Sequence, residues 1–92
     1  MGLVSVRDTR RKVEVISRHG CHLCEVALEE LNFIRREIDF ELIERFIDAD
    51  PALDSEYGFM VPVILIDGNM HGYGRVERER FVASITSRGI VE

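Results

Sequence analysis

The chain has no tryptophan, only two cysteines and two prolines, and no apolar run approaching membrane-spanning length. Each shortage narrows what the protein can be. A helix that crosses a bilayer needs about 20 consecutive apolar residues, so no membrane partner is expected. A structural zinc site takes four ligands, and there is no second cysteine pair. His19, His22 and His71 could in principle complete a site, but their spacing fits no common zinc module, so no metal is expected. Basic side chains are also in the minority, 12 against 17 acidic, for a formal net charge of −5. That balance suits a phosphate backbone poorly. Arg10-Arg11-Lys12 reads as a solvated strand entrance, and no nucleic-acid partner is expected. Repeats and low-complexity segments are missing too. The start of the chain lacks the charged residues and long apolar core of a secretory signal, and position 6 lacks the Ser or Thr of a myristoylation signal. The expected location is therefore the cytoplasm. In that reducing compartment a close cysteine pair points to catalysis or metal rather than to a structural staple.

What remains is a chain of 92 residues with 46% hydrophobic side chains, enough for one domain over 1–92 with a small core. Residues 1–12 read as a loose N-terminal arm. Val13–Ser17 is a β-branched run and predicts a buried strand. After the break at Arg18-His19-Gly20, Leu23, Ala27, Leu31, Ile34 and Ile38 recur at helical steps, predicting a helix from Cys21 or His22 to Glu37. A second strand is expected over Glu41–Phe46. Asp50 suits a helix N-cap and Pro51 the first helical position, with Gly58 as the stop. Val61–Ile66, the most apolar run, predicts a central strand, and Asp67-Gly68 a tight turn into an antiparallel strand over Asn69–Tyr73. Glu77–Ser87 predicts the last helix. The order β-α-β-α-β-β-α implies an α/β fold: a four-stranded mixed sheet with helices on both faces, its first two strand–helix–strand units parallel with right-handed crossovers and the hairpin adding an antiparallel edge.

The chemistry concentrates at Cys21-His22-Leu23-Cys24, where strand periodicity gives way to helical. A thiol is nucleophilic only as its thiolate. At the start of a helix, Cys21 would meet unpaired backbone N–H groups and the positive end of the helix dipole, and both favour the anion. Cys24, one turn later, would lie near it but deeper. An exposed thiol ahead of a shielded partner is the geometry that thiol–disulfide exchange requires. His22, when protonated, would stabilise the Cys21 thiolate. Arg18 could serve as counter-charge to the thiolate or to a substrate carboxylate, or simply be exposed in the loop. Pro62 stands where a central strand should exclude proline. A cis Val61–Pro62 bond would leave Val61 backbone groups free for an extended substrate, whereas a trans proline would merely start the strand. The residues alone do not separate the two. Two further readings stay open beside exchange: a soft-metal carrier using Cys21, Cys24 and a histidine, and an interaction module without turnover.

Arg18 to Cys24, Asp48-Ala49-Asp50-Pro51, Tyr57-Gly58, Val61-Pro62-Val63 and Asp67-Gly68 together resemble the glutaredoxin-like proteins of the thioredoxin superfamily, over about Val13 to Ile85. The resemblance implies a thioredoxin-like fold and a redox-active disulfide serving cell redox homeostasis. It makes Cys21 the attacking and Cys24 the resolving cysteine, and Pro62 a cis-proline beside the pair. Val61, Pro62, Arg18, His22 and Met60 would form the substrate-binding set. No bound cofactor is implied, though glutathione could act as co-substrate. The expected partners are a disulfide-containing protein or a low-molecular-weight thiol, with glutathione or thioredoxin reductase as electron donor. The chain departs from the family in carrying His19 where many members have proline and Met60 where they have threonine. His71-Gly72-Tyr73-Gly74-Arg75-Val76-Glu77 replaces a Gly-Gly turn followed by an acidic pair.

Overall fold

Two of the most apolar runs of the sequence lie side by side at the centre of one sheet. A computed structural model describes residues 7–86. In it β1 (Arg7–Ser17) and β3 (Val63–Ile66) pair antiparallel, with Val13 opposite Ile66 and Ile16 opposite Val63. β2 (Ile38–Phe46) runs parallel to β1, and β4 (Asn69–Tyr73) antiparallel to β3, giving the order β2-β1-β3-β4. The helices are α1 (His22–Ile34), α2 (Pro51–Tyr57) and α3 (Arg78–Thr86), with a 3₁₀ turn over Ile47–Ala49 before α2. The element order and the mixed sheet are those expected from the sequence, but β3, expected parallel from the second strand–helix–strand unit, runs antiparallel to β1, because the chain through α2 re-enters the sheet in the opposite direction.

Alternation along the strands sorts the core into two halves, because successive side chains in a strand point to opposite faces. Val13 and Val15 pack with Ile38, Phe40, Ile64 and Ile66 beneath α1 (Leu31, Ile34) and α3 (Phe81, Ile85). Ile16, Val63 and Leu65 face the other way, toward Ile47 and the partly buried Leu53, Tyr57, Met60 and Val61. Full burial of one such side chain, Leu31 for example, contributes roughly 1.5–3 kcal/mol.

Local chemistry fixes the joints. The Asp50 carboxylate accepts from the Ala52 and Leu53 N–H groups at 3.1 and 3.2 Å and caps α2, with Pro51 in the first turn. Asp67 and Gly68 both have positive φ, 51° and 85°, as a two-residue hairpin turn requires. Asp67 also ties the hairpin to β1. Its carboxylate accepts from the Lys12 N–H at 2.9 Å and from the Arg11 side chain. These contacts, the Lys12 N–H foremost, hold its carboxyl below the usual carboxylate range.

The structure corrects several boundaries. The arm expected over 1–12 is shorter, since Arg7–Lys12 belong to β1, while residues 1–6 lie outside the described residues. Arg7 and Asp8 pair with Ile38 and Asp39, and an irregularity before Lys12, with Arg10 at φ 60°, separates this pairing from the main register. Backbone pairing holds this segment without an apolar pattern that could announce it. α1 ends at Ile34 rather than Glu37, because Arg36 and Glu37 bond three residues back, to Phe33 and Ile34, in tightened turns. Ile38, read as the last rung of the helical stripe, is the first residue of β2, which therefore begins before Glu41. Leu23, read as the first rung, is 52% exposed; Cys24 takes the buried position. β3 begins at Val63, so Val61 and Pro62 precede the strand. α3 begins at Arg78 and is described to Thr86, with Ser87 outside the described residues.

Candidate functional site

β1 ends at Ser17, and residues 18–20 deliver the chain to α1. Gly20 has φ +76°, and a Cβ there would meet nothing within 4 Å. The requirement at this position is backbone conformation, not space. Cys21 follows with extended backbone and is the N-cap of α1. Its Sγ accepts a hydrogen bond from the Cys24 N–H at 3.2 Å. The sulfur thus stands where a capping oxygen would, facing helix N–H groups that favour a thiolate. Cys21 and Cys24 are in disulfide geometry with Cα atoms 5.3 Å apart. Cys24 is 2% exposed, while Cys21 is only half-buried. One sulfur is therefore reachable from solvent and the other is shielded.

The approach loop is fastened at two points. Arg18 Nη2 donates to the Gly58 carbonyl at 2.8 Å and lies 3.6 Å from Asp54, joining the loop to the end of α2. The His19 N–H donates to Asp48 Oδ1 at 3.1 Å, and its ring stacks on Phe46 with centroids 3.9 Å apart. The His19 N–H is also the main reason that the Asp48 carboxyl sits below its ordinary range. Arg18 is thus a pin between loop and helix, with its guanidinium directed to Gly58 and Asp54.

The Ile16–Val63 pairing brings Val61 and Pro62 to the end of the sheet where β1 gives way to the cysteine loop. The Val61–Pro62 peptide is cis. Pro62 is buried, and its carbonyl accepts from the Gly74 N–H at 2.8 Å. Met60 and Val61 are partly buried against the core half beneath α2. Among the described residues the Val61 backbone has no hydrogen-bond partner. His22 is exposed, with Nδ1 3.8 Å from Glu25 Oε1. His71 lies on β4, edge-on to Phe81, with Arg80 bonded to its carbonyl at 2.7 Å. Among the described residues no three His, Cys, Asp or Glu side chains are grouped as metal ligands, and no helix is long and apolar enough to cross a membrane.

A cavity of about 250 Å³ adjoins the pair, lined by both cysteines, Arg18, His19, Gly20, Glu25, Leu28, Glu44 and Phe46. The cavity thus joins Cys21, Cys24 and Arg18 from the expected site. Met60, Val61, Pro62 and His22 do not line it. Sequence reasoning missed the His19–Phe46–Asp48 clasp and Glu44. The alternation along β2 carries a usable signal for Glu44, a charge in the row of Ile38, Phe40 and Leu42. The clasp joins residues 27 or more positions apart and has no comparable local pattern.

Comparison with known proteins agrees with this geometry. Residues 12–86 match the family model described as Glutaredoxin-like domain (DUF836). A protein from Methanothermobacter marburgensis named as a probable thioredoxin is 34% identical over 80 residues, covering 82% of this chain and 92% of that one. A crystal structure of protein XcR50 from X. campestris superposes with a TM-score of 0.68 at 32% identity, covering 80% of this chain and 95% of that one. A mutant thioredoxin from Halobacterium salinarum superposes with a TM-score of 0.67 at 18% identity, covering 90% of this chain and 78% of that one. This last likeness carries the thioredoxin-like fold alone.

Proposed function

The chain belongs to the glutaredoxin-like family, and from that premise we propose that it is a thiol–disulfide oxidoreductase using the Cys21/Cys24 dithiol. The observation that carries this reading is the asymmetry of the pair. Cys21 is accessible and faces the Cys24 N–H at the helix start, whereas Cys24 is 2% exposed. In the reducing direction the Cys21 thiolate attacks one sulfur of a substrate disulfide. A Cys21–substrate mixed disulfide forms and the other substrate half leaves as a thiolate. Cys24 then loses its proton and attacks the Cys21 sulfur, and the second substrate half leaves. Two electrons pass from the dithiol to the substrate, and the protein ends with a Cys21–Cys24 disulfide.

The unpartnered Val61 backbone would align an extended substrate, with Met60 and Pro62 shaping the wall. Arg18 acts in this scheme as a positioning residue, since its contacts run to Gly58 and Asp54. His22 adds positive charge next to Cys21 when protonated, with Glu25 3.8 Å away as its counterweight. Regeneration takes two electrons from glutathione or thioredoxin reductase. The cytoplasm, where thiols are kept reduced, is the compartment suited to such a cycle.

The test separates the two sulfurs. Cys24→Ser should accumulate a mixed disulfide with substrate, visible by intact mass, and Cys21→Ser should lose exchange altogether. Equal residual activity in both variants would sink the assignment of roles.

A further inference from the structure

The charges around the dithiol point to a class of substrate. This inference rests on the exchange reading above and concerns which disulfides the site admits. Arg18 is the one arginine or lysine lining the cavity. Its guanidinium is already matched by Asp54 at 3.6 Å and by the Gly58 carbonyl. His19 is faced by Asp48, whose carboxyl the His19 N–H holds below its ordinary range. Two further lining residues are carboxylates, Glu25 and Glu44. Glu25 is exposed, and its one ion-pair contact among the described residues is the exposed His22 at 3.8 Å. Glu44 has no ion-pair partner among the described residues. Its strand position is telling. It follows Ile38, Phe40 and Leu42 on the side of β2 that packs against the α1 core, and breaks that apolar row beside Cys24. One already matched arginine therefore meets two lining carboxylates.

We propose that the Cys21–Cys24 site prefers disulfides that carry positive charge, and that Glu25 and Glu44 set this preference. A substrate sulfur must approach Cys21 with its flanking groups close to these carboxylates. Flanking ammonium or guanidinium groups are attracted there, and flanking carboxylates are repelled. Oxidised glutathione has more carboxylates than amines and is a net anion at neutral pH. A disulfide flanked by lysine or arginine is the complementary chemistry. The exchange steps are those already written, with the cationic disulfide as two-electron oxidant of the dithiol.

The experiment follows oxidation of the reduced protein by three small disulfides: cystamine (cationic), bis(2-hydroxyethyl) disulfide (neutral) and oxidised glutathione (anionic). Each rate is divided by the rate of dithiothreitol with the same disulfide, which removes differences in leaving-group chemistry. At low ionic strength the normalised cystamine rate should exceed that of glutathione by about ten-fold. This takes about three-fold per carboxylate on the ratio, the size of one unit-charge interaction at about 6 Å in a water-like dielectric. Added salt to roughly 0.5 M should erase most of the difference. Glu44→Gln should lower the ratio by about three-fold, and Glu25→Gln with Glu44→Gln by about ten-fold. Glu41→Gln, elsewhere on β2, should leave the ratio where it was. A ratio near one in the unmodified protein, or one that the double variant does not change, overturns the proposal while leaving exchange intact. A reduced protein that none of the three oxidises overturns the exchange reading and this proposal with it.

Discussion

Among the described residues, ten buried apolar side chains fill the face of the sheet under α1 and α3. The apolar cluster buried under α2 is smaller, with Ile16, Ile47, Val63 and Leu65. α2 itself has no buried residue. Its hold on the molecule comes from partly buried Leu53 and Tyr57, the Asp50 cap, and the Arg18 contacts at Gly58 and Asp54. The first face is held by area removed from water and the second largely by directional polar contacts. Segments with little buried area open locally at low free energy, so the α2 face is the more easily opened side. The dithiol lies where the two meet. Cys24 is buried in the first turn of α1, while Met60 and Val61 pack on the α2 side. The shielded sulfur is thus set by the rigid half, and the segment proposed to align substrate by the softer half.

Three substitutions test that contrast, in falling order of effect. Phe81 is fully buried in the large half, edge-on to Phe40. Phe81→Ala should cost about 3–5 kcal/mol in chemical denaturation, a large part of a small domain's stability. Asp50→Ala removes only the α2 cap and should cost about 1 kcal/mol. Its faster hydrogen exchange should be confined to the α2 region. If Asp50→Ala loosened the whole sheet as Phe81→Ala does, the two faces would be one cooperative unit. His71 gives the smallest effect. Burial, reinforced by the Arg80 charge, pushes its imidazole below the ordinary value of 6.5. The folded state therefore takes up its proton less readily than the unfolded chain. This site carries no penalty above pH 6.5, and stability falls as the pH drops from there through the folded-state value. His71→Gln should flatten that limb of a thermal-midpoint profile between pH 5 and 8. An unchanged profile would remove His71 from the balance.

The sequence is most legible where chemistry is local. Asp50-Pro51 starts a helix and Asp67-Gly68 makes a hairpin because a few adjacent residues suffice. The β-branched run Val13–Ser17 and the apolar run Val63–Ile66 show as strands because their periodicity matches their burial. The legibility ends where backbone pairing or distant partners decide. Arg7–Lys12 extend β1 through main-chain pairing, which leaves no apolar pattern. Leu23 fits the helical stripe by spacing but lies at the exposed start of α1, where Cys24 turns inward instead. At the site, the spacing of Cys21 and Cys24 and their place before a helix could be read directly. Arg18 showed its charge but not its partners, because Gly58 and Asp54 are brought to it by the packing of α2. Glu44 could be read only as part of a strand until α1 was placed beside it.

Considered mechanically, residues 18–21 form a short span with two abutments. One foot rests on α2 through Arg18, the other on the end of β2 through His19, Phe46 and Asp48. The Cys21–Cys24 bond is a third tie, the one that anchors the span to the interior. Without that tie, the two surface feet and the Cys21 cap on α1 would still hold the span. A partner protein in contact with α2 or the end of β2 would therefore press on the footings of the loop that carries Cys21.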